Sequence, residues 1–194
     1  MMEWWTYRPS DFLMFSGRSW ARLLEALNRD AWPAQPLLLV VGMLLVVLAW
    51  QRPQAVRRSA LLVLAAAWAW VAWNFHWQRF AAINTAAPWF ALAWVVQGLA
   101  LVVPGLRPAP QEPARWMRRA GIALALAAVG YPLATLLGDD GVARAQVAGL
   151  APDPTALLTA GLLLALPVRH RGWLLVVPLL SLAVGWTTAW LLRG

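Results

Sequence analysis

Runs of apolar residues about as long as a bilayer-crossing helix recur along this chain, cut apart by arginines and prolines. The roughly 30 Å hydrocarbon core of a membrane asks for about 20 such residues per helix. Six runs are legible: Ala34–Gln51, Ser59–Trp77, Thr85–Pro104, Arg119–Leu137, Pro154–Val168 and Gly172–Leu192, the fifth being short. Hydrophobic residues make up 61% of the 194, which leaves too little polar surface to coat a soluble globule. The sequence therefore predicts an all-α fold, an integral membrane helical bundle of about six transmembrane helices over residues 34–194.

Residues 1–33 read differently. Ser10 can cap a helix that continues to about Arg29, with Phe12, Phe15, Trp20, Leu23, Leu24 and Leu27 on one face and Arg18, Arg22, Glu25 and Arg29 on the other. That pattern predicts an amphipathic helix lying in the membrane–water interface, anchored also by Trp4, Trp5 and Tyr7. The alternative is a lid packed over the bundle. A basic start followed by a short apolar core is missing, so the first apolar run is expected to stay as an uncleaved anchor.

The formal charge is +8, but its 16 basic residues are all arginines spread between apolar runs, so nucleic acid is not the expected partner. They sort by side instead. Arg52, Arg57, Arg58, Arg107, Arg115, Arg118, Arg119, Arg169 and Arg171 fall in the first, third and fifth connections, against only Arg79 and Arg144 in the second and fourth. The positive-inside rule then places both termini outside. Arginine without lysine suggests GC-rich bacterial coding, hence a multi-pass protein of a bacterial inner membrane with periplasmic termini. Of the acids, Glu3, Asp11, Glu25, Asp30, Asp139, Asp140 and Asp153 lie on the outer side and Glu112 on the inner, which favours outer-face chemistry.

The tract from Trp68 to Asn84 concentrates aromatics, amides and a histidine at the outer end of the second run. Trp70, Trp73 and Trp77 share a helical face that could cage a cation or simply form an interfacial belt. His76 and His170 fall on opposite sides of the membrane and cannot ligate one haem together. The candidate ligand- or partner-binding residues are His76, Arg79, Asn84, Gln97, Trp73, Trp77, Asp139, Asp140 and Asp153. Gln97 is the deepest strong hydrogen-bonder, suited to joining two helices or lining a path. Ionisable groups are missing from the predicted midplanes, which counts against ion-coupled transport. No catalytic motif occurs, and without cysteine there are no disulfides, iron–sulfur clusters or thiolate metal sites. Neither a cofactor nor a metal is expected.

The serial order Trp32-Pro-Ala-Gln35, His76-Trp-Gln-Arg-Phe80, Ile83-Asn84-Thr-Ala-Ala87, Phe90 and Gln97 resembles bacterial membrane proteins of the domain of unknown function 6064 family. Pro152-Asp-Pro-Thr155 and Thr159-Ala-Gly161-Leu-Leu extend the resemblance over most of the chain. It implies a small multi-pass membrane protein and carries no biochemical activity. The family tends to have a histidine where this chain has Asp139 and a cysteine where it has Asp153, so a soft-metal role is in doubt here. The leading expectation is an accessory or assembly subunit that meets other membrane proteins or copies of itself within the lipid bilayer. A pore or carrier for a small neutral or cationic ligand, using Gln97 and the aromatic tract, is the alternative, and an enzyme is less favoured.

The topology is directly testable because the chain is cysteine-free. Cysteines placed singly at Ser10, Ala55, Ala109 and Ala143 should react with an impermeant maleimide from outside at Ser10 and Ala143 only. Outside labelling at Ala55 or Ala109 would overturn the orientation.

Overall fold

The computed structural model describes residues 13–136 and 141–192. Eight α-helices follow one another: α1 (Gly17–Ala31), α2 (Ala34–Gln51), α3 (Pro53–Val71), α4 (Ala87–Leu106), α5 (Arg115–Val129), α6 (Tyr131–Leu136), α7 (Pro152–Ala165) and α8 (Arg171–Leu191). A π-helical turn, Ala72–Trp77, continues α3, and 3-10 turns occupy Phe80–Ala82 and Val142–Arg144. The only strand-like pairing among the described residues is a single bridge between Ala148 and Ala151. Among the described residues, four rods are long and apolar enough to cross a membrane: α2, Pro53–Ala82, α4 and α8. Their outward side chains include Leu37, Val40, Leu44, Leu92, Val96, Leu99, Leu180 and Trp190, an apolar surface of the kind lipid solvates.

Local sequence explains several helix starts. Proline opens α3 at Pro53 and α7 at Pro152, where the missing N–H has no intrahelical role. The Ser16 side chain accepts a bond from Ser19 N at 3.2 Å and caps α1. This corrects the expected start at Ser10, which lies outside the described residues; residues 13–16 are not helical. The α1 stripe is also covered by protein: Leu23, Leu24 and Leu27 are buried in the common core, with Phe15 and Trp20 packed against it.

The run expected over Arg119–Leu137 is two helices, because the α5 ladder ends at Gly130 and α6 restarts at Tyr131. Helix α3 begins six residues before the expected Ser59, so Arg57 and Arg58 stand on the helix and not in a connection. Arg115, Arg118 and Arg119 likewise open α5. Cations at helix N-termini work against the macrodipole by roughly 0.3–1 kcal/mol each, so their clustering there reflects something other than helix stability. It is the clustering from which the expected orientation was drawn.

Helix α7 lies at the centre, with every residue except Leu164 buried. It packs on α5 through glycine. A Cβ at Gly121 would meet Gly161 O at 2.5 Å and Ala165 N at 2.6 Å; one at Gly161 would meet Ala125 N at 2.6 Å. Small residues thus bring the two backbones into direct contact, the usual means of joining helices where lipid removes the hydrophobic drive. Hydroxyls line α7 as well: Trp68 Nε1 donates to Thr159 Oγ1 at 2.8 Å, Thr159 donates to Thr155 O at 2.8 Å, and Thr155 to Ala151 O at 2.6 Å.

Pro178 interrupts α8 and leaves the carbonyl of Leu174 without its usual partner four residues on. Gln97 of α4 donates to that oxygen at 2.8 Å. At the end of α4, the guanidinium of Arg57 donates to the carbonyls of Pro104 and, at 2.6 Å, Arg107, closing off a helix terminus.

Gly121→Val should lower stability in detergent by about 1–3 kcal/mol through overpacking. Gly172→Val is the control, since a Cβ there meets nothing within 4 Å. Equal melting temperatures for the two variants would refute the backbone-contact account.

Candidate functional site

The π turn decides which way the outer tract faces. Gln78 N bonds to Trp73 O, five residues back, at 3.0 Å, and the wider turn carries His76 further from the Trp73 stripe than an α-turn would. Trp70, Trp73 and Trp77 consequently remain on the exposed surface while Asn74, Phe75 and His76 are buried. Arg79 stabilises the distorted turn by donating to Asn74 O at 2.8 Å and to the Asn74 side chain, and it pairs with Asp30 of α1 at 2.7 Å.

His76 enters an aromatic cluster. Its ring centroid is 5.1 Å from Phe75, 5.1 Å from Trp94, 6.0 Å from Phe90 and 6.1 Å from Phe80. Trp20 of α1 meets Phe75 and Phe80 edge-on, each at 5.8 Å, and Trp94 stacks on Trp68 at 3.8 Å. Neither nitrogen of the buried His76 ring has a hydrogen-bond partner among the described residues. Leaving a buried polar group unsatisfied costs about 1–3 kcal/mol, so an imidazole held this way needs a reason.

A cavity of about 320 Å³ supplies the setting. His76, Trp94, Trp20 and Phe90 line it together with Asp153, at the second position of α7, and Gln146. Asp153 is buried and accepts a bond from Tyr131 Oη at 3.3 Å, with no cation paired to it among the described residues. Gly185 of α8 makes its space: a Cβ there would overlap the Asp153 carboxyl group. Helix α1, which brings Trp20 to the cavity, is tied to the 142–145 turn: Asn28 donates to Ala143 O and Ala145 O, both at 2.9 Å, and Glu25 pairs with Arg144 at 2.9 Å. One imidazole, one carboxyl group and several aromatic faces thus converge on a space at the lower end of small-molecule site volumes.

Residues 18–193 match a family of unknown function, DUF6064. The chain belongs to that family. No curated protein and no solved structure matches it.

Of the residues expected to form a site, this DUF6064 protein brings His76 and Asp153 to one cavity and places Trp73, Trp77, Arg79, Asn84 and Gln97 elsewhere. Trp73 and Trp77 are about half exposed on the outer surface and form no cage with His76. Arg79 secures α1 and the π turn, and Gln97 satisfies the α8 carbonyl outside the cavity. Asn84 accepts from Ala86 N at 2.8 Å, a local turn that leads into α4. Asp139 and Asp140 lie outside the described residues. Among the described residues no three of histidine, cysteine, aspartate or glutamate gather as metal ligands. The aromatic lining from Trp20, Phe90 and Trp94 and the glycine notch at Gly185 were not picked out as site residues from sequence. Nothing in the apolar pattern distinguishes them from core residues.

Asn84→Ala removes an acceptor of the turn before α4 and should cost roughly 1 kcal/mol, leaving the cavity chemistry intact. A lower melting temperature with unchanged ligand affinity is the expected result; normal stability with lost affinity would return Asn84 to the site.

Proposed function

We propose that this protein is a multi-pass protein of a bacterial inner membrane that crosses the bilayer six times, termini outside, and binds a small organic amine in its outer-half cavity. Arginines at alternate helix ends support the six-fold alternation. Helices α5 and α7, at 15 and 14 residues, complete it. A 14-residue helix is only about 21 Å long, short of the roughly 30 Å core. That is tolerable for α7 because protein sheathes it, and irregular backbone at depth is acceptable where protein covers it.

The observation that carries the ligand reading is the placement of an unpartnered imidazole and an uncompensated carboxyl group on one aromatic cavity. A protonated amine complements all three elements: its charge meets the Asp153 carboxylate, its N–H groups reach an imidazole acceptor, and its cationic face lies on aromatic rings for up to about 2 kcal/mol when desolvated. The cavity shares no lining residue with the second one at the arginine-rich end, and the Gln97–Leu174 bond lies between them along α4 and α8. A binding chamber at one end, as in a receptor or a carrier, therefore fits better than an open pore joining both ends. The accessory-subunit reading rests on apolar helix faces that lipid covers equally well.

The test uses purified protein in mild detergent with benzylamine, phenethylamine and the neutral benzyl alcohol, followed by calorimetry and thermal shift. The amines should bind more tightly than the alcohol, and Asp153→Asn should erase that preference. His76→Phe should keep or raise the ligand-free melting temperature, by removing an unsatisfied group, while weakening amine binding at least about tenfold. Binding of benzyl alcohol as tight as that of the amines, or unchanged amine affinity in His76→Phe, would defeat the proposal. Copurification of an unrelated subunit together with no amine binding would restore the accessory reading.

A further inference from the structure

The arginine-rich end holds a second concave site, of about 150 Å³, between the end of α4 and the start of α8. Arg57, Arg107, Arg169 and His170 contribute its polar lining, and Val103 and Trp173 are among its apolar residues. Acidic residues do not line it, and none of the three arginines takes part in an ion pair among the described residues. The nearby acid of the connecting segment, Glu112, is paired with Arg118 at 3.8 Å.

Membrane sidedness explains why arginines lie at this end, but not why three of them share one apolar-walled hollow. Two more features point to an anion. His170, in the left-handed region at φ 52°, caps the start of α8, so the first N–H groups of that helix lie beside the hollow. Arg57 is buried with its Nε atom unpartnered, although its terminal nitrogens serve the end of α4. On the lipid side, Trp173 is 81% exposed, and Val103 is exposed on α4 nearby. A headgroup anion seated among the arginines could thus continue into an acyl chain along an apolar surface without leaving the site.

We infer that this hollow binds the phosphate group of an anionic phospholipid, with Arg107 and Arg169 as the phosphate-pairing side chains and Val103 and Trp173 against the first part of the acyl chain. Basic pockets between helices on the cytoplasmic side suit such headgroups. Arg107 and Arg169 are exposed and hold no carbonyl or ion pair in the fold, so they can be replaced without dismantling it, whereas Arg57 cannot.

The experiment is native mass spectrometry of the purified full chain titrated with phosphatidylglycerol, with phosphatidylcholine and inorganic phosphate as separate arms. The wild type should retain phosphatidylglycerol in preference to phosphatidylcholine. Arg107→Gln combined with Arg169→Gln should weaken phosphatidylglycerol binding at least about tenfold, whereas Arg58→Gln with Arg119→Gln, an equal loss of charge at exposed positions away from the hollow, should change it little. Equal weakening in both double variants would reduce the effect to overall charge and overturn the site. No preference for phosphatidylglycerol over phosphatidylcholine would overturn it too, and full displacement of the lipid by inorganic phosphate would assign the hollow to free phosphate instead. The amine-binding variants at the opposite end leave these measurements untouched, so either assignment can fail alone.

Discussion

The contact of Gly121 with Gly161 brings two helix backbones together and fixes where everything else can go. With α5 drawn so close, α7 is buried on nearly all sides. Its N-terminus therefore sits inside the bundle, where Asp153 reaches the cavity and Gly185 of α8 gives way to it. A bulkier residue at either α5–α7 glycine would push α7 outward and move the cavity's carboxyl group with it.

Around that contact, most polar groups have a specific structural partner. The carbonyl freed by Pro178 receives Gln97, the end of α4 receives Arg57, the π turn receives Arg79, and the Trp68 indole reaches Thr159. Low local dielectric makes each of these bonds valuable and each omission costly. The imidazole of His76 stands out because both of its buried nitrogens lack a partner among the described residues, whereas Arg57 and Gln35 each leave one atom so, which is why the ligand reading centres on it and not on the more numerous tryptophans.

Hydrophobic periodicity and the arginine pattern made the helical bundle legible in the sequence, and the bounds of α2 agree with the run read there. The short runs were harder, because apolar length alone does not show that Gly130 splits one helix or that α7 is encased. In the outer tract, an α-helical wheel put the tryptophans together correctly. Their shared face turned out to be the exposed one. Which face turns inward depends on the π turn and on Trp20 arriving from α1, neither of which has a local signature in residues 68–84. His76 and Asp153 were legible as chemistry-bearing types at one end of the bundle, but their common cavity depends on residues 77 positions apart being brought together by the fold.

The encased position of α7 also constrains how the chain is made. A short helix with buried threonines and an aspartate at its start cannot cover them by itself, and its coverings come from both sides in sequence: α5 before it, α8 after it. Synthesis must therefore hold α7 in an unfinished environment until Arg171–Leu191 has emerged. The final helix closes the bundle, and a ribosome that stops before it leaves the central helix without part of its sheath.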